Sequence, residues 1–226
     1  MVGIAEGKDK EAFANALIDM EVRGSYRHKV RTLTMDMSKS YIAGANKFMP
    51  DAAIVFDRFH IMKMLNEAVD KIRRSEQQQY RQAFTKSRFL FLRNYDHLNS
   101  NQQQKVNALA EAFPTIGTAY RLKELFREIL NQAEASAKLT PLNNWIKEAW
   151  ACGLEPLRDF IKTLHRHWYG IKSYFKKLAS NAFAEAVNLK IQTIKRNARG
   201  YKVIHHFIQM IYFHLGGLNF STHYKW

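Results

Sequence analysis

Where the strand-like runs fall constrains this fold more than any other feature: they crowd into the chain before His60 and then stop. Val2 to Ala5 is apolar enough for a short strand, Val30 to Met35 reads as a second, and Ala52 to Phe56 is an apolar run suited to burial on both faces. Between them, Phe13, Leu17, Ile18 and Met20 recur at helical spacing from Lys10 to about Val22, with Asp9 placed to cap the helix. Ser38 or Ser40 can cap a second helix holding Ile42, Ala45 and Phe48, and Pro50-Asp51 ends it. The order β-α-β-α-β predicts an α/β unit with an open parallel sheet.

After His60 the texture changes. Ile61, Met62, Leu65, Ala68, Val69 and Ile72 form a helical stripe, and helical patterns continue to about Lys177 with almost no strand signal. Breaks are expected near Asn94-Asp96, Pro114-Thr115, Thr140-Pro141 and Glu155-Pro156. A further helix is expected from about Asn181 to Ala198, with Gly200 as its stop, and an amphipathic stretch from Val203 to Leu215. The expected organisation is an α/β core over 1–64, an all-helical block over 65–177, and C-terminal helices over 178–226 that complete the core.

Composition narrows the partners. Lys and Arg number 35 against 20 acids, for a formal net charge of +15. That excess favours a polyanion, nucleic acid before membrane, over a charge serving only solubility. With 46% apolar residues the chain can build a core. The single Cys152 excludes an intramolecular disulfide and any Cys-rich zinc motif. No run of ~18 apolar residues is present for a spanning helix, and Met1 to Ala5 is too short for a signal peptide.

Three stretches carry the chemistry. Asp36 and Asp57 each end a strand-like run, where an open parallel sheet gathers reactive groups. A carboxylate there is free for a hard cation of the kind two-metal phosphoryl transfer uses; the plainer alternative is that each Asp caps the following turn or helix. On the later helix, Glu185, Asn188, Gln192, Arg196 and Arg199 follow three- and four-residue steps and share one face. Phe183, Val187, Ile191, Ile194 and Ala198 form a separate apolar stripe. An acid for a metal beside cations for phosphates suits a polyanionic substrate, although a solvated amphipathic helix shows the same pattern. Adjacent histidines, as in His205-His206, point in different directions on a helix, so these and His165 and His167 are read as structural or surface groups. Trp145, Trp150 and Trp168 are expected in the core of the helical block.

The order of these stretches resembles the DDE transposases of bacterial insertion sequences, the ISL-three group. Asp36-Met37-Ser38 is similar to the segment with that family's second catalytic Asp. Pro50 to His60, centred on Ile54-Val55-Phe56-Asp57-Arg58-Phe59-His60, resembles its Asp-x-x-His signature. Ser87 to Asn94 resembles a stretch of the helical insertion, as does Phe160 to Leu164 followed by His167, Gly170 and Tyr174. Glu185 with Asn188, then Lys190, Lys195-Arg196 and Gly200-Tyr201, resembles the segment with the catalytic Glu, with Ala186 where the family often has Gly.

The resemblance implies a partial ribonuclease-H-like parallel or mixed sheet with a large all-helical insertion. It implies Asp36 and Glu185 as catalytic, metal-binding acids, Asp57, His60 and Asn188 as signature residues near them, and Mg²⁺ or Mn²⁺ as cofactor. Lys190, Lys195, Arg196, Arg199 and Lys202 are then the expected DNA contacts, with insertion-sequence ends and target DNA as partners in a bacterial cytoplasm. The family's first Asp is expected on a strand upstream of Met1, which makes this chain a fragment of a catalytic domain, inactive alone. Association with itself, a full-length chain or an N-terminal chain is expected. The second reading is a non-catalytic DNA-binding protein that inhibits or partners a full-length transposase; a third is a ribonuclease-H-like nuclease unrelated to transposition.

Overall fold

The computed structural model describes residues 3–132, 135–177 and 182–216, and the chain divides into two compact units, Met1–Val55 with Ala179–Trp226, and Phe56–Leu178.

The first unit begins with α1 (Lys10–Val22), and the Asp9 side chain caps it by accepting the Ala12 amide at 2.7 Å. β1 (Thr32–Met35), α2 (Lys39–Phe48) and β2 (Ala53–Phe56) follow, and the two strands pair in a small parallel sheet. Leu17 and Met20 of α1 pack with Met49 and Ala52 after α2, and Phe13, Leu33 and Phe48 flank that cluster. Gly44 is needed there, because a Cβ would come to 3.0 Å of the Phe13 ring. Ser38 stands at the N-cap of α2 without using its side chain.

The expected first strand is not formed among its described residues, Gly3 to Ala5. The Ile4 amide donates instead to the Asp19 carboxylate at 2.9 Å. An amide satisfied by a side chain has no need of a strand neighbour. The same carboxylate accepts from the Tyr212 hydroxyl, and the Arg23 guanidinium lies 3.6 Å from the centre of the Tyr212 ring. These contacts tie α11 (Ile204–Leu215) to α1. α10 (Ala182–Asn197) packs on α11.

Beyond Phe56, the end of β2, the described residues of the second unit form helices joined by turns, with no strand among them. α3 (Arg58–Gln79) is its axis and packs on α4 (Arg88–Leu92), α6 (Pro114–Asn131) and α8 (Glu155–Arg166). Ile61, Leu65, Val69 and Ile72 explain this: their spacing puts four wholly or nearly buried side chains on one stripe. α5 (Ser100–Ala112) is opened by a reciprocal Asn99–Gln102 capping box, and Pro114 opens α6, where a missing amide costs nothing. α7 (Ala135–Ala151) and α9 (Trp168–Lys177) complete the unit.

Two expectations are corrected here. Pro141 does not break the chain but lies inside α7, where a proline removes one i→i−4 backbone bond and crowds the carbonyl four residues before it. Trp145 is buried and donates from Nε1 to the Leu122 carbonyl at 2.7 Å, but Trp168 is only half-buried and Trp150 is 44% exposed beneath the Arg158 guanidinium. Lys123 is fully buried, with Nζ donating to the Phe91 and Arg93 carbonyls at 2.8 and 2.7 Å and lying 2.9 Å from a Glu124 oxygen. Burial pushes its pKa down, and the Glu124 charge offsets only part of that. Among the described residues no helix is long and apolar enough to cross a membrane.

Candidate active site

Asp36 follows the last residue of β1, and its carboxylate is half-buried. Its Oδ1 accepts the Ser38 amide at 2.9 Å, which turns the chain from the strand into α2. The carboxylate is therefore held by the backbone while part of it faces solvent, as a ligand for a hard cation requires.

Asp57 follows the last residue of β2 but behaves differently. It is only 5% exposed, caps α3 by accepting the Phe59 amide at 3.0 Å, and meets His60 Nδ1 at 3.1 Å through its other oxygen. Its acid is committed to starting a helix and orienting an imidazole. The capping alternative raised by the sequence thus holds for Asp57, whatever else it contributes.

Around Phe56, the residue before this cap, the sequence stretch from His167 to Tyr174 gains a physical role. Phe56 is wholly buried; the His167 and Tyr169 rings meet it edge-on at 5.3 and 5.5 Å. Gly170 leaves the space that the Phe56 ring fills, since a Cβ there would come to 2.4 Å of two ring carbons. Burial pushes the His167 pKa down, with the Arg166 charge acting in the same direction, which favours the neutral imidazole packed on Phe56. These residues set the end of β2 and the start of α3. The sequence marks His167 and Gly170 through the resemblance and does not mark Tyr169, because the contact is tertiary.

Glu185 lies on α10, and its side chain is outside the described residues, as is its expected proximity to Asp36. Further along α10, Val187, Ile191 and Ile194 are half-buried, whereas Asn188, Lys190, Gln192, Lys195 and Arg196 are exposed. Arg199 and Lys202 beyond the helix are exposed as well. Three of the five expected apolar positions are thus half-buried, while Ala198 is exposed and the Phe183 side chain lies outside the described residues. The helix ends in a Schellman turn: the Gly200 amide donates to the Lys195 carbonyl and the Arg199 amide to the Arg196 carbonyl, both at 3.0 Å. The left-handed residue that closes it is Arg199, at φ 52°, and Gly200 follows at φ 101°. α10 and α11 also frame an open groove of about 600 Å³, lined by Leu189, Ile194, Tyr201, Met210 and Leu215, with Lys190 among its lining residues.

Among the described residues no three His, Cys, Asp or Glu side chains gather as a metal-holding group. Asp36 offers hard oxygen donors, which fit Mg²⁺ or Mn²⁺ rather than a soft metal.

No solved structure matches the chain. Curated proteins do. It is 27% identical over 206 residues to a transposase for insertion sequence element IS1001 from Bordetella parapertussis, covering 88% of this chain and 50% of that protein. It is 26% identical over 116 residues to the transposase for insertion sequence element IS1557 from two strains of Mycobacterium tuberculosis, covering 51% of this chain and 26% of those proteins. The chain thus spans half the length of the first relative and about a quarter of the other two. The ISL3 family model, whose description is "Transposase", matches residues 1–211. Nearly the whole length is matched, including both strand-end acids and α10, and the chain belongs to the ISL3 family of DDE transposases.

Proposed function

We propose that this chain is the part of a transposase catalytic domain that carries two of its metal-binding acids, Asp36 and Glu185, in a ribonuclease-H-like core interrupted by the helical unit. The observation that carries the reading is Asp36: a half-buried carboxylate at the end of a strand, fixed by the Ser38 amide, in a chain of this family.

Asp36 and Glu185 would hold Mg²⁺ or Mn²⁺, which would supply Lewis-acid charge stabilisation for phosphodiester cleavage and strand transfer. Asp57 keeps its carboxylate on the Phe59 amide and His60, and so positions the end of β2. Lys190, Lys195, Arg196, Arg199 and Lys202 grip DNA phosphates beside the acids, which lets the acids approach a polyanion without net repulsion. They orient the duplex and do not read its bases; recognition of the element ends needs other groups. Two acids hold a metal pair poorly, and the family's third acid is expected from sequence outside these 226 residues.

The test is divalent-metal-dependent cleavage of insertion-sequence-end DNA by the purified chain, with and without a polypeptide carrying the preceding strands. Cleavage is expected only when that polypeptide is supplied, and Asp36→Ala or Glu185→Ala should abolish it. Cleavage that survives Asp36→Ala overturns the assignment. Tight DNA binding with no cleavage in any combination favours the non-catalytic DNA-binding reading.

A further inference from the structure

The second unit carries a charge cluster that the catalytic reading does not use. Asp70, on α3, is buried, and three arginines converge on it. Arg73 Nε donates to its Oδ1 at 2.8 Å and is itself buried. Arg74 Nη2 lies 2.7 Å from Oδ2, and Arg88 Nε, from the start of α4, lies 3.9 Å from the same oxygen. The side chains of Arg74 and Arg88 are 63% and 56% exposed. One buried carboxylate thus pairs closely with one surface guanidinium, Arg74, and attracts a second, Arg88, across 3.9 Å, and the cluster keeps a net charge of about +2 at neutral pH.

Its surroundings are basic. Between Asp70 and Arg88 the chain has Lys71, Arg73, Arg74, Arg81, Lys86 and Arg88 against Asp70 and Glu76. Lys71, Arg81 and Lys86 are all exposed. Phe89 is exposed too, and the Arg88 guanidinium stands 5.7 Å from the centre of its ring. The backbone beneath is tied to the core by buried contacts. Ser87 is buried and donates from its hydroxyl to the Phe84 carbonyl at 2.7 Å, and buried Phe84 and Phe91 stack on either side of the turn. Lys86 holds φ 57° in that turn, a left-handed conformation costing roughly 1 kcal/mol in a non-glycine residue. Strain of this kind persists where the surrounding structure holds it, and it concentrates at functional sites.

We propose that Arg74 and Arg88, oriented by Asp70, form a clamp for a backbone phosphate of duplex DNA, on the helical unit and distinct from the catalytic acids. Guanidiniums suit this role because their planar forks give two parallel hydrogen bonds to phosphate oxygens. Arg74, already paired with a buried acid, loses less side-chain freedom on binding than a free arginine would. Duplex DNA as the ligand rests on the transposase reading above.

The test measures binding of the 226-residue chain to a fluorescent DNA duplex in EDTA, as a function of salt, so that no metal-dependent step enters. The variants are Arg74→Gln/Arg88→Gln and Arg74→Lys/Arg88→Lys, each checked for an unchanged melting curve. For the Gln pair, the slope of log affinity against log salt should fall by about 1, and binding should weaken equally across sequences. The Lys pair should keep the slope, because charge is retained, and still bind more weakly. A Gln pair with the wild-type slope and affinity overturns the clamp while leaving the catalytic reading standing. Preference of the wild-type chain for single-stranded RNA over duplex DNA, or no salt-dependent binding at all, also overturns it. Duplex binding in EDTA should keep its wild-type slope in Asp36→Ala, which separates the clamp from the catalytic acid.

Discussion

His60 Nδ1 lies 3.1 Å from the carboxylate of Asp57, the residue that caps the same helix three positions earlier. The other Asp57 oxygen accepts the Phe59 amide, so one acid both starts the helix and fixes an imidazole. Replacing Asp57 with Ala should cost about 1 kcal/mol of stability through the lost cap. Asp57→Asn keeps a good cap and should cost only a few tenths. Urea unfolding of the two variants measures the difference. Equal losses would mean that the cap is not what Asp57 contributes to stability.

Gly170 and Phe56 make the second test. A methyl group at Gly170 would press to 2.4 Å of a ring that is wholly buried. Overpacking of this kind typically costs about 1–3 kcal/mol, and roughly 2 is expected for Gly170→Ala. Combining it with Phe56→Leu should recover part of the loss, because the clash partner is removed. Melting temperatures of the two single variants and the double variant measure the coupling.

Much of this fold is legible in the sequence where the determinants are local. The spacing of Phe13 and Leu17 predicts α1, the Asp9 cap follows from its position, and the apolar run before Asp57 gives β2. The run before Asp36 gives β1 in the same way. What is not legible depends on distant partners. Gly3 to Ala5 has the composition of a strand, but the Ile4 amide is taken by Asp19 on α1. Arg74 is visible as an i,i+4 partner of Asp70, but Arg88 joins them only because buried Phe84 and Phe91 fold α4 back towards α3. The position of Gly200 marks the end of α10, yet the left-handed residue is Arg199, one step earlier.

Asp70 should govern acid stability of the helical unit. Burial alone would raise its pKa, but hydrogen bonds and charges from Arg73 and Arg74 outweigh burial and hold it below the usual 3.8. A carboxyl whose folded pKa is depressed contributes stability that is fully present above its unfolded pKa. That contribution is lost as pH falls from 3.8 through the lower folded value. Asp70→Asn should remove this pH dependence. At neutral pH it should also cost on the order of 3 kcal/mol, because buried Arg73 loses its counter-charge. Urea midpoints of wild type and variant between about pH 2.5 and 6 check both effects. Parallel curves would show that other carboxyls dominate acid unfolding.

Lys86 and Arg199 are the non-glycine residues with positive φ among those described, and both are basic and exposed. Lys86 sits in the turn before Arg88, and Arg199 closes the helix with the proposed phosphate contacts. A side chain in the left-handed region costs roughly 1 kcal/mol, which glycine does not incur, although glycine gives back part of the gain through the entropy of the unfolded chain. Lys86→Gly and Arg199→Gly should therefore each leave stability unchanged or raise it, by up to about 1 kcal/mol. Arg199→Gly also removes a cation that the DNA reading uses, and Lys86→Gly removes one from the basic surroundings of the Arg74–Arg88 clamp. Affinity for duplex DNA should then fall, and the salt slope should drop by about 1 for each phosphate no longer neutralised. A variant that is at least as stable but binds DNA less tightly separates function from folding in a way that destabilising variants do not. Urea unfolding and salt-dependent anisotropy on the same preparations measure both quantities. Arg199→Gly with wild-type affinity and slope would remove Arg199 from the DNA-binding residues, and a clear loss of stability would mean that its backbone is not strained.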